Sequence, residues 1–166
     1  MRRVAGAVGI TPMAIYRHFR TRDALLNALA DRGFEELTRT LAGARLPVSV
    51  EGRLLRTVDI SIDHALANPR LFELMFLKPR RGARRFPRDF KAGRSPTASP
   101  FAAVVKQAMD RGELRRDDHW EITFELGALL EGLIMLYLGG RIEGGAKELR
   151  ALLRRAMRRY LRGIRR

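Results

Sequence analysis

The chain reads as all-α. Three observations predict this: apolar residues recur at helical spacing over most of the 166 residues, cap residues and glycine or proline breaks separate those stretches, and no run alternates polar and apolar as a strand would. No internal repeat is present. The punctuation predicts about eight helices, divided into a small head over residues 1–44 and a larger helical body over 45–166.

In the head, Val4 and Val8 stand one turn apart around the small Ala5, and Gly9 can take the positive φ of a helix stop. Thr11 then caps a second short helix with Pro12 at its first position, where the missing N–H costs nothing. Along that helix Ile15 and Phe19 share an inward face, Met13, Ala14, Arg17 and His18 lie opposite, and Tyr16 stands at the edge between them. Two short helices meeting at a glycine form a helix-turn-helix, and the outward face suits a major groove. Thr21 opens a long connector helix from Arg22 to about Ala42, with Leu25, Leu26, Leu29, Phe34, Leu37 and Leu41 available to pack on head and body alike.

In the body, Ser49 starts a helix whose Leu54, Leu55, Val58, Ile62, Ala65 and Leu66 repeat at helical spacing up to Asn68. Asn68 and Pro69 open a short, strongly apolar helix from Leu71 to Leu77. From Lys78 to Arg94 the pattern disappears: eight basic residues and one acid, broken by Pro79, Gly82, Pro87 and Gly93, predict a loop. It either contacts a nucleic-acid backbone or an anionic ligand, or it is a solvated linker, and the linker is the preferred reading. Ser99 and Pro100 open the next helix, which carries Phe101, Val104, Val105, Ala108 and Met109 as one stripe to Arg111. Asp118 and Glu121 have the spacing of a capping box ahead of the most apolar helix, ending at Gly139 and Gly140. The last helix, Ala146 to about Arg162, aligns Leu149, Leu152, Leu153, Ala156, Met157, Tyr160 and Leu161 in one seam with arginines on its other side.

Composition excludes several classes. Cysteine is absent, so there is neither a disulfide nor a thiolate metal site, and a cytoplasmic protein is expected. The longest apolar run, around Leu126 to Leu138, is broken by Glu131 and too short to span a bilayer, so no membrane partner is expected. The net charge is +15, yet residues 1–44 hold only +3 of it, so the total is not itself a sign of the helix-turn-helix. The three histidines, His18, His64 and His119, show no ligand spacing, and neither a phosphate loop nor a nucleophile elbow occurs. No metal, no cofactor and no enzymatic activity are expected.

Ala5, then Gly9, Ile10 and Thr11, then Ile15, Tyr16, Arg17, His18 and Phe19, then Arg22, Asp23, Ala24, Leu25 and Leu26 together resemble the signature of the tetracycline-repressor (TetR) family of bacterial transcription regulators. The match in spacing and residue type covers roughly the first forty residues. The resemblance implies a ligand-responsive regulator, most simply a repressor, that binds a palindromic double-stranded DNA operator as a homodimer and leaves it when a small apolar molecule binds the body. Thr11, Tyr16 and Arg22 are then expected at phosphates and Met13, Ala14, Arg17 and His18 at base edges. Tyr16 has an alternative as an edge-of-core aromatic, and Arg22 as a solvated charge. Phe72, Met75, Phe76, Phe101, Val105 and Met109 fall on helices that surround the ligand in the resembled family, though such faces also serve as plain core. Leu126, Leu129, Leu130, Leu133, Leu149, Leu153, Met157 and Tyr160, on the two C-terminal helices, are the expected dimer seam.

The resembled small domain has three helices before its connector helix, and this sequence opens inside the second of them. Met1 is therefore expected to be a misassigned start with further residues encoded upstream. The alternative function is a dimeric ligand-binding or protein-interaction module whose DNA binding is impaired by the missing first helix.

Overall fold

The computed structural model describes all 166 residues as nine helices and no strand: α1 (Arg2–Ala7), α2 (Pro12–His18), α3 (Arg22–Gly43), α4 (Val50–Ala67), α5 (Pro69–Phe76), α6 (Arg88–Lys91), α7 (Ala98–Asp110), α8 (His119–Leu138) and α9 (Ala146–Ile164). Four starts, those of α2, α3, α4 and α8, sit where the N-cap side chain satisfies an orphan N–H of the first turn. Thr11 Oγ1 accepts from the Ala14 amide at 3.2 Å, Thr21 Oγ1 from Ala24 at 3.0 Å and Ser49 Oγ from Gly52 at 3.1 Å. Asp118 Oδ1 accepts from the Trp120 amide at 2.8 Å and from Glu121 at 3.3 Å.

Two starts differ from the sequence expectation. α7 begins at Ala98, two residues before Pro100, because Ser95 Oγ takes the Ala98 amide at 3.3 Å and leaves Ser99 inside the first turn. The 78–94 stretch is not a plain loop. Asp89 is buried and accepts from the Arg85 amide at 2.7 Å and from Arg94 at 2.6 Å, and that clamp winds the four residues of α6. Phe86 and Phe90 then lie on Phe124 of α8, with ring centroids 4.4 and 5.3 Å away, which ties the segment to the body. Arg88 at its side holds the Asp89 carboxyl down to about 2, helped by the Arg85 amide.

The body core runs through α4, α5, α7, α8 and α9, with Val58, Ile62, Phe72, Val105, Leu126 and Ile134 inside it. A second cluster, Ala30, Phe34, Leu37, Ile60 and Met75, joins α3 to α4 and α5. Gly33 lets these helices close: a Cβ there would stand 2.5 Å from Met75 Sδ. α9 lays its apolar stripe on α4 and α8, and its arginines reach over the edge to acids of α4. Arg154 meets Asp59 at 2.9 Å, Arg158 meets Glu51 at 3.0 Å, and Arg150 reaches Asp63.

This arrangement corrects half of the expected dimer seam. Leu126, Leu149, Leu153 and Met157 are fully enclosed within the chain itself, because α4 and α8 cover the deepest line of the α9 stripe. Leu129, Leu133 and Tyr160 remain half-buried at the rim of the core, and Leu136 is exposed beside them.

Candidate nucleic-acid interface and ligand cavity

The helix-turn-helix is built around Ala5 and Ile15, the two buried side chains of α1 and α2. Gly9 at φ +70° turns the chain between α1 and α2, and Pro12 at the first position of α2 sets the direction of that helix. The outward face then carries Met13, 70% exposed, with Arg17 and His18 also exposed and Ala14 half-buried. Tyr16 is 47% exposed, so its ring is not spent in the core. Arg22, exposed at the first position of α3, stands one short turn beyond α2. Thr11 is exposed too, its oxygen turned to the Ala14 amide. Six of the seven residues expected at DNA therefore lie on α2 or at its N-cap, and Arg22 opens α3 just beyond it. The opposite flank of the head is open: Val4, Val8, Ile10 and Leu29 are exposed.

Below the head, α3 continues into the body and becomes a wall of two adjoining cavities. The smaller, about 90 Å³, lies between Leu37 and Leu41 of α3, the aromatic wall of Phe72, Phe76 and Phe101, and Thr123, Gly127 and Glu131 of α8. The larger, about 370 Å³, opens beside it between Phe34, Met75, Phe90 and Phe124 and is closed on one side by Arg80 and Arg84 from the basic segment. Phe76, Thr97, Ala98, Thr123, Gly127 and Glu131 line both. Thr123, Gly127 and Glu131 repeat every fourth residue, so one face of α8 supplies the shared wall, and the missing side chain at Gly127 leaves room beside Glu131.

Of the six expected pocket residues, Phe72, Met75, Phe76 and Phe101 line these cavities. Val105 and Met109 do not. They occupy the face of α7 that packs on α8 and α4, and both are buried in the body core. Leu130, expected at the dimer seam, instead faces the smaller cavity. Glu131, Arg80 and Arg84 were missed. The signal for Glu131 is present in the sequence, since the one acid within the apolar run from Leu126 to Leu138 needs a reason beyond breaking that run. Burial pushes its carboxyl up to about 7. His64 is half-buried with Nε2 unpartnered, and burial lowers its pKa against the opposing pull of Glu36 on α3.

A helix-turn-helix head joined by one continuous helix to an all-helical body defines a class, the two-part helical transcriptional regulators. Two family models place the chain within it: "Tetracyclin repressor-like, C-terminal domain" matches residues 54–160, and "Bacterial regulatory proteins, tetR family" matches residues 1–29. The chain belongs to the TetR family of transcriptional regulators. A protein of unknown function from Rhodococcus sp. RHA1 is 26% identical, with a TM-score of 0.75 over 99% of this chain and 84% of its own. A bacterial regulatory protein in the tetR family from Rhodococcus RHA1 shares the fold at 19% identity, with a TM-score of 0.73 over 98% of this chain and 84% of its own. No curated protein matches the chain. TetR-family regulators are generally non-enzymatic DNA-binding proteins, and no helix here is long and apolar enough to cross a membrane.

Proposed function

We propose that the protein is a homodimeric repressor that leaves a palindromic operator when a small, largely apolar molecule enters the body cavities. The observation that carries this reading is the double duty of α3. Its first residue, Arg22, follows the end of α2 by a short turn, while Phe34, Leu37 and Leu41 further along the same helix line the cavities. A ligand that binds one position of α3 better than another shifts the population of head positions, and two heads held at the wrong separation cannot both dock. Phosphate contacts by Thr11, Tyr16 and Arg22 would supply most of the affinity. Met13, Ala14, Arg17 and His18 would supply the readout. The second copy is assigned to the rim of α8 and α9, where Leu129, Leu133, Leu136 and Tyr160 keep apolar surface.

The test is a gel shift on the promoter region of the protein's own gene, with and without apolar ligands. Retarded DNA that is released by a ligand supports the reading, and retarded DNA indifferent to every ligand removes the effector half of it. A second reading, a dimeric ligand-binding or interaction module with weak DNA binding, is favoured by the open flank of the head, where Val8 is 61% exposed. Hydrogen exchange of residues 4–20 separates the two, because a head that docks on DNA must be protected and a frayed one is not.

A further inference from the structure

We propose that the larger cavity binds an amphipathic carboxylate, with its headgroup held by Arg80 and Arg84 and its apolar body lying along Met75, Phe76 and Phe90. This rests on the effector reading above and names the chemistry of the effector. Both arginines come from the basic segment between α5 and α7, and both line the cavity. Each stacks its guanidinium over the Phe34 ring, at 5.8 Å for Arg80 and 5.1 Å for Arg84, so neither is free to swing out to water without losing that contact. Arg80 Nε and Arg84 Nη1 are buried with no hydrogen-bond partner. A guanidinium does not shed its proton to escape such a site, and its planar fork matches a carboxylate with two parallel hydrogen bonds. Two guanidiniums with unfilled donor capacity at the edge of a cavity whose apolar lining includes Phe34, Met75, Phe76, Phe90 and Phe124 therefore describe a ligand with an anionic end and a greasy end, taken up with a small shift of the arginines.

The charge balance points the same way. Lys78, Arg80 and Arg84 line the cavity against one acid, Glu131, and the raised carboxyl of Glu131 weakens even that opposing charge near neutral pH. A protonated Glu131 can also donate a hydrogen bond to a polar group further down the ligand.

The site is wired to the connector helix. Arg80 Nη1 donates to Asn27 Oδ1 at 3.3 Å, and Arg84 Nη2 lies 3.8 Å from Asp31 Oδ1. Asn27 and Asp31 stand one turn apart on α3, between the recognition helix and the cavity. A ligand carboxylate competes with these two side chains for the same guanidiniums, so its arrival loosens the hold of the basic segment on α3.

The experiment is calorimetric titration of the full chain with decanoate, decylamine and decanol, which share one tail and differ in the head. Decanoate is expected to bind saturably, one per chain, and at least about tenfold more tightly than the other two. R80Q/R84Q is expected to weaken decanoate by at least about tenfold, and R81Q, at an exposed position off the cavity wall, to leave it unchanged. Tightest binding by decylamine would make Glu131 the recognition group and overturn the proposal, as would undiminished decanoate binding by R80Q/R84Q. If the double variant melts, the single variants R80Q and R84Q replace it, and affinity unchanged in both is equally fatal. Because no DNA is present, absent decanoate binding overturns this site and leaves the regulator reading standing. Binding through the two arginines upholds the site even if the DNA complex proves indifferent to it.

Discussion

Arg17 stands exposed on the outward face of α2, where a guanidinium can span both acceptors of a guanine edge. Arg17→Ala is expected to lose about 1–3 kcal/mol of operator binding with its melting curve unchanged. Equal losses on operator and random DNA in a titration would show it to be a phosphate contact only. Glu131 allows a prediction of pH dependence. Its carboxyl titrates near 4.5 when free and about 7 in the fold, so between those values the folded chain holds a proton that the unfolded chain has released. Stability therefore falls as pH rises through this window, by up to about 3 kcal/mol, and the loss is complete above it. Glu131→Gln is expected to abolish that slope and to be the more stable protein at pH 8. Parallel urea-denaturation profiles for both chains from pH 5 to pH 8 would refute this. The exposure of Met13, Tyr16, Arg17 and His18 was legible because a short amphipathic helix has only one outward face. Glu131 was not, because periodicity says which side of a helix is apolar and never which cavity a particular position enters.

At the scale of elements, the starts of α2, α3, α4 and α8 were legible because a Thr, Ser or Asp oxygen next to the first turn is itself the physical cause of the start. α6 was not, since it depends on Asp89 collecting donors from Arg85, Arg88 and Arg94 around a turn that has no apolar period of its own. The α9 seam shows a further limit. Its heptad-like stripe was plain in the sequence, but the same stripe serves a neighbour within the chain or a neighbour in a second copy, and nothing local distinguishes them. The structure gives Leu153 to the chain's own core, so Leu153→Ala is expected to cost about 2–5 kcal/mol in denaturant unfolding. Leu133, half-buried on the rim of α8, belongs to the proposed seam. Leu133→Glu is expected to yield a folded monomer by light scattering, and a dimer that survives this change would place the second copy on another face.

Across the whole molecule, the +15 charge was conspicuous in the sequence yet uninformative about the partner, because it could not be assigned to a surface. In the fold, part of it is answered internally: arginines of α9 pair with Asp59, Asp63 and Glu51 of α4, and Arg88 and Arg94 pair with Asp89. Arg80 and Arg84 face a cavity. Arg17 and Arg22 on the head are the arginines proposed at DNA, and the salt dependence of binding tests whether the head or another exposed basic surface supplies the phosphate contacts. Each phosphate neutralised contributes about 0.9 to the slope of log affinity against log salt, so Arg22→Ala, acting once in each head of a dimer, is expected to reduce that slope by about 2 while weakening every sequence alike. Arg81→Ala, exposed on the basic segment, is expected to leave the slope untouched. A fluorescence-anisotropy titration of operator and random duplexes across a salt series decides the matter. If Arg81→Ala flattens the slope as much as Arg22→Ala does, the basic segment also lies on the DNA backbone, and the phosphate contacts are not confined to the head.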